Sequence, residues 1–177
     1  MNGKILGGGL MVMGLAAGVA IYYLQVYHFY EPVSAEQVGS VEMTSLVSGA
    51  PEEILADVTQ AIDADSSPIR FRACFTTPMS QSLLTESYVL YENAAPLTAP
   101  HWFDCFDAVE IGDALDAGTA LAFLGQENIE YGVDRIVAVM EDGRGFVWHQ
   151  LNNCGAKTYD GGLKGKECPP RPEIGSN

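Results

Sequence analysis

Between Ile5 and Leu24 the chain runs for 20 residues without a charge or a strongly polar group, and no other feature restricts its fold so severely. As a helix rising 1.5 Å per residue, such a run measures about 30 Å, the thickness of a bilayer's hydrocarbon layer. A cleaved secretory signal is the competing reading, because Gly18, Val19 and Ala20 place small residues at a cleavage-like spacing. The apolar core of a signal extends over roughly 7–15 residues, whereas this one continues through Ile21, Tyr22, Tyr23 and Leu24. The rings of Tyr22, Tyr23, Tyr27, His28, Phe29 and Tyr30 then crowd its end, where amphipathic aromatics favour the headgroup layer. The expectation is a retained transmembrane anchor over residues 5–24, with the bilayer as its first partner. Tyr22, Tyr23, Tyr27, Phe29 and Tyr30 would form its interfacial belt, followed by a polar tether to about residue 40.

Charge sets the expected orientation. Lys4 precedes the run, and no Lys or Arg follows it until Arg70. The positive-inside tendency therefore keeps residues 1–4 in the cytoplasm and exports everything after Tyr30, giving a single-pass bacterial inner-membrane protein with a periplasmic domain. The chain has 23 acidic against 9 basic residues, formally −14; without Lys4, the part from Glu31 onward has 23 against 8, or −15. A domain so acidic is repelled by phosphate backbones, which excludes nucleic-acid binding.

All four cysteines, Cys74, Cys105, Cys154 and Cys168, lie in the segment expected outside. An even number in an exported domain reads as disulfides. Of the three pairings, Cys74–Cys105 with Cys154–Cys168 is favoured, since the second closes a short loop in a Gly- and Pro-rich tail spanning residues 152–177. The spacing fits neither a zinc site, a redox C-x-x-C pair nor haem attachment, and no cofactor is expected.

The domain over residues 41–151 reads as α+β. Pro51 to Val58 begins like a helix, with Pro in the first turn, acids beside it, and Ile54, Val58 and Ile62 at i, i+4 spacing; an extended conformation remains open there. Residues 63–68 form a turn. Ile69, Phe71, Ala73 and Phe75 alternate with Arg70, Arg72 and Cys74, the mark of a half-buried strand. A second strand is expected from Glu86 to Tyr91. Asp107, with Glu110 three residues on, caps a helix whose apolar face is Ala108, Ile111 and Leu115 and whose stop is Gly118. Strands follow over 120–124, 135–140 and 146–151, with a loop at 125–132 and a glycine-bearing hairpin turn at 141–145. The sum is an antiparallel sheet of five or six strands with one or two helices.

Phe71-Arg-Ala-Cys-Phe-Thr-Thr-Pro-Met-Ser80, His101-Trp-Phe-Asp-Cys-Phe-Asp107 and the stretch from Leu121 to Leu151 resemble a family of short, single-anchor alphaproteobacterial membrane proteins, a domain of unknown function. The resemblance extends over nearly the whole chain, anchor included. It implies the topology and no mechanism. Some members carry a histidine-kinase label, which the absence of the kinase's glycine-rich boxes argues against here.

Few constellations point to chemistry. His101, Asp104 and Cys105 are neighbours in sequence, but Cys–His nucleophile pairs assemble from separate segments, and Cys105 is better used in a disulfide. His149, beside Trp148, reads as structural. Asp63, Asp65 and Ser67 alternate like the start of a calcium loop yet lack its Gly and distant Glu, so a turn salt-bridged to Arg70 or Arg72 is the simpler reading. Two features carry more. Gly3, Gly7, Gly14 and Gly18 share one face of the anchor, allowing close helix–helix approach to a second copy or another membrane subunit. From Cys74 to Asp134 there are ten acids and no Lys or Arg, while Lys157, Lys164, Lys166 and Arg171 collect in the tail. Glu110, Asp113 and Asp116 would then share an exposed helix side, a possible docking face for a basic periplasmic protein such as a c-type cytochrome.

The functional expectation is a non-enzymatic accessory or assembly subunit of an inner-membrane complex. An acidic docking module for a soluble basic protein is the second reading. A small envelope enzyme or ligand-binding domain with a site assembled from distant residues is the third.

Overall fold

A computed structural model describes residues 3–162 and 168–170 of the chain. Helix α1 spans Gly3–Tyr23 and passes directly into a π-helical turn, Leu24–His28, closed by the Phe29 N–H donating to the Leu24 carbonyl at 3.1 Å. The 26 residues from Gly3 to His28 form one helix long and apolar enough to cross a membrane, and none of its apolar face is buried by the rest of the chain. The remaining elements are β1 (Glu31–Val33), α2 (Ala35–Val38), β2 (Glu42–Thr44), β3 (Pro51–Glu53), β4 (Asp57–Asp63), β5 (Arg72–Thr76), α3 (Gln81–Ser87), α4 (Ala108–Ala117), β6 (Ala120–Glu130), β7 (Val133–Met140) and β8 (Arg144–Leu151).

An antiparallel sheet in the order β1-β4-β5-β8-β7-β6 forms the centre, with β2-β3 as a separate two-stranded ribbon. The main sheet is covered on both faces. One face carries Phe71, Ala73, Phe75, Phe123, Val137, Val139 and Val147, capped by Met43, Ile54, Leu84 and Tyr88 from the ribbon and α3. The other carries Cys74, Ile136, Ala138, Phe146 and Trp148, capped by Phe103, Phe106 and Ile111 from the 88–107 connection and α4. Double coverage explains why β7 is apolar nearly throughout rather than alternating.

Several expectations need correcting. Residues 31–40, expected as a tether, are folded: β1 pairs with β4 through Glu31↔Asp63, Pro32↔Ile62 and Val33↔Ala61, and Ser34 with Gln37 makes a capping box for α2. Pro51 starts β3 instead of a helix. The i, i+4 spacing of Val58 and Ile62 spans two pleats as readily as one helical turn, so spacing alone could not separate the two. A bulge between Val58 and Gln60 then sends Val58 to one sheet face and Ile62 to the other. The strand expected over 86–91 is instead α3, whose N-cap Ser80 accepts from the Leu83 N–H; only isolated bridges, Ser45↔Tyr88 and Leu90↔Phe123, follow it. The loop expected at 125–132 belongs largely to β6, which continues to Glu130 through register shifts around Gln126. The hairpin turn forms where expected, with Gly143 at φ +85° and so close to the Thr77 carbonyl that an added Cβ would sit 2.7 Å from it.

The disulfides pair as Cys74–Cys105 and Cys154–Cys168. The first staples the 88–107 connection onto β5. That is why the Arg72/Cys74 side of β5, expected to face water, is buried.

Candidate interaction surfaces

The junction between α1 and the sheet is the first site the fold constructs. The π turn inserts an extra residue into the helical repeat and turns Tyr27 toward the domain. Its hydroxyl lies 3.0 Å from His101 Nε2, and its ring stacks on Tyr23 with centroids 5.8 Å apart. Trp102 donates its indole N–H to the Val26 carbonyl at 2.7 Å and meets Tyr30 edge-on. Two residues after the π turn ends at His28, the chain enters an edge strand of the main sheet. Of the five expected belt residues, Tyr22, Tyr23, Tyr27 and Phe29 are exposed, whereas Tyr30 packs against Trp102 within the domain. Sequence reasoning treated His101-Trp102 as packed aromatic surface and missed that they grip the helix; no pairwise signal in a single sequence could reveal it.

On α1, an added Cβ at Gly3, Gly7, Gly14 or Gly18 meets nothing within 4 Å. At 100° per residue, the four lie within a stripe about 60° wide. This face is open and flat.

The opposite end of the sheet carries the acidic surface. Register places Thr76 and Arg144 together, four residues of β5 and about 13 Å away from the Arg72↔Trp148 pair beside the junction. Helix α4 lies over that far end, with the Asp107 carboxylate accepting from the Val109 and Glu110 N–H groups and Gly118 closing it in the left-handed conformation at φ +73°. Glu110, Asp113 and Asp116 are all exposed. Glu110 does not complete a capping box; its carboxylate takes the Arg144 guanidinium at 2.9 Å, and Asp142 takes it at 2.7 Å. The surface is therefore less uniformly anionic than its sequence suggested, with Asp113 and Asp116 as its unscreened part. Of the tail cations, Lys157 is exposed, while Lys164, Lys166 and Arg171 lie outside the described residues.

Beside the junction the arginines do something the sequence did not announce. Arg72 is buried and donates to the carbonyls of Leu97 (2.9 Å), Ile69 (2.8 Å) and Phe71 (2.6 Å), with its guanidinium over the Phe106 ring. Burial lowers its pKa to about 10, opposed by the negative charge of Asp63, so it stays cationic at neutral pH. The expected salt bridge to this turn is absent: among the described residues only Arg144 makes ion pairs, and Asp63 accepts from the Ala64 N–H instead. Arg135 lies over Phe71, which stacks on His149 at 4.9 Å. Because Arg135 Nε can only donate, His149 Nε2 accepts from it at 3.1 Å; the imidazole proton therefore sits on Nδ1 and goes to the Pro68 carbonyl at 2.8 Å. Burial lowers the His149 pKa to about 4, with Arg135 and Arg72 adding to the shift and the Pro68 bond opposing it. His149 is thus a neutral structural link between β8, β7 and the 64–68 turn.

Asp134 is buried at the end of β7 and accepts from the Asn128 N–H, the Asn152 amide and the Tyr91 hydroxyl, at 2.9, 2.7 and 3.1 Å. Burial and this carboxylate push the Tyr91 pKa up to about 12. Asn152 in turn accepts from the Cys154 and Gly155 N–H groups, so the cluster pins the start of the C-terminal tail. Among the described residues no group of three or more His, Cys, Asp or Glu side chains is arranged to hold a metal ion. His101 reaches Tyr27, while Cys105 is consumed by its disulfide, so the two are not brought together as a nucleophile and base.

A family model described as a Family of unknown function (DUF6446) matches residues 41–169, from just before β2 into the tail. No curated protein and no solved structure matches the chain.

Proposed function

We propose that this chain, which belongs to that family of unknown function, is a single-pass, inner-membrane-anchored periplasmic protein acting as a non-enzymatic accessory or assembly subunit of a membrane complex. The observation that supports this reading best is the junction: an apolar helix of membrane-spanning length feeds an edge strand without a spacer and is gripped by Trp102 and His101. A domain held in that way stays at the bilayer surface in a set orientation, which suits a component that must meet neighbours in the same membrane. The open stripe of Gly3, Gly7, Gly14 and Gly18 supplies a surface on which another helix could approach closely.

Purification of the full chain in mild detergent tests the reading. Stoichiometric membrane subunits should accompany it, and Gly14→Leu with Gly18→Leu should strip them away while leaving membrane targeting intact. A protein that purifies alone, or a double variant that keeps every companion, would remove the helix-packing argument. Association that dissolves in salt would favour the second reading, an acidic docking module, for which the exposed Asp113 and Asp116 speak. The side of the membrane is read separately: alkaline phosphatase fused to the C-terminal end should be active, and an inactive fusion would reverse the assignment.

A further inference from the structure

We propose that the cleft where α1 leaves the domain binds the phosphate of an anionic phospholipid headgroup through Arg70, with Arg72 beside it. The cleft has a volume of about 330 Å³ and is lined by Gln25 of the π turn, Tyr30, Ser67, Arg70, Arg72 and Leu97. Arg70 Nη1 is shielded from solvent and, among the described residues, has no hydrogen-bond partner. A guanidinium N–H left unpaired at a shielded site costs more than an ordinary exposed donor, so an acceptor arriving there gains that cost back. The Arg70 guanidinium is held over the Tyr30 ring at 5.4 Å, which sets its plane beside the cleft. Arg72 is tied down by three carbonyls and adds a second positive charge that no carboxylate among the described residues pairs directly. Asp63 acts on Arg72 at longer range and, with Glu31 and Asp65, lines a neighbouring cleft, not this one.

Depth identifies the occupant. Gln25 is the first strongly polar residue after the 20-residue apolar run, so if α1 spans a bilayer this cleft lies at headgroup level; the inference rests on that anchoring. A planar guanidinium donating to phosphate oxygens is a geometry arginine favours over lysine. The charge distribution agrees. A domain with a formal charge near −15 would be pushed away from an anionic surface, yet Arg70 and Arg72 stand together at its junction end while the α4 acids occupy the other. Such a polarity holds the domain upright on an anionic bilayer instead of letting it lean.

The test uses the full chain in mild detergent, with retained lipid read by native mass spectrometry after addition of dioleoyl phosphatidylglycerol or dioleoyl phosphatidylcholine. The parent should retain one phosphatidylglycerol in preference to phosphatidylcholine. Arg70→Gln should weaken that retention about tenfold, the loss expected for one charge-assisted hydrogen bond. Arg70→Lys should fall between the two, and Arg144→Gln, at the far end, should match the parent. If Arg70→Gln unfolds on thermal melting, the Arg70→Lys comparison decides. Equal retention of the two lipids, or an Arg70 variant equal to the parent, overturns the proposal. Inorganic phosphate in a parallel melting titration separates the sources: stabilisation by phosphate that phosphatidylglycerol fails to displace would assign the cleft to a soluble anion and overturn the lipid. Flotation with phosphatidylcholine vesicles tests the anchoring itself, because a parent that does not float loses the anchor whatever the cleft retains.

Discussion

Replacing Cys74 and Cys105 together by alanine is expected to lower the folding free energy by about 3–4 kcal/mol, the chain-entropy value for a loop of this length. The bridge joins residues separated by 31 positions. It also holds the 88–107 connection, which carries Phe103 and Phe106 into the second core layer and supplies the Leu97 carbonyl to Arg72. Trp102, three residues before Cys105, is the side chain that grips the Val26 carbonyl. Unstapling should therefore loosen the sheet cover and the α1 junction together. With a urea slope of about 2 kcal/mol per molar, the midpoint should fall by roughly 1.5–2 M, followed by tryptophan fluorescence of the full chain in detergent. Reducing agent is a poorer probe, because it opens Cys154–Cys168 as well. A midpoint lowered by less than about 0.5 M would mean that the connection is held by its apolar contacts alone.

Acid should destabilise the domain through His149. Its folded pKa, about 4, lies below the model value of 6.5. The unfolded chain therefore binds a proton first as pH falls, and the stability contributed by the neutral imidazole is complete above about 6.5 and lost progressively down to about 4. Between pH 7.5 and pH 4.5 the loss is about 2–3 kcal/mol. Protonation must break a real contact, since Nε2 could no longer accept from Arg135 and a cation would face Arg135 and Arg72. Carboxylates titrate in the same range, so the signal is the difference between parent and His149→Gln. The variant should begin less stable at neutral pH and lose less on acidification. Parallel melting temperatures for the two proteins across that range would show that His149 is solvated or charged in the fold.

What the sequence determined by itself was everything that depends on local pattern or on counting. The apolar run, the Asp107–Gly118 helix, the glycine-bearing turn before β8 and the strands from Ala120 onward each carry their signal within a few residues, through caps, pleat alternation and left-handed glycine. Cysteine parity made two bridges the natural reading, and the favoured pairing forms. Only the tertiary structure decided the rest, because the missing information lies in contacts between distant residues. Val58 and Ile62 fit helix and strand spacing equally, and pairing with β5 chose the strand. The stapled connection turned the Arg72 side of β5 from an expected water-facing surface into a buried layer. Residues 31–33, polar enough to read as a tether, became an edge strand because β4 offered an open row of hydrogen-bonding groups. The same long-range placement brought Arg70 beside Gln25 and Tyr30, a cleft no local pattern encodes, since its walls come from segments more than 40 residues apart in the chain.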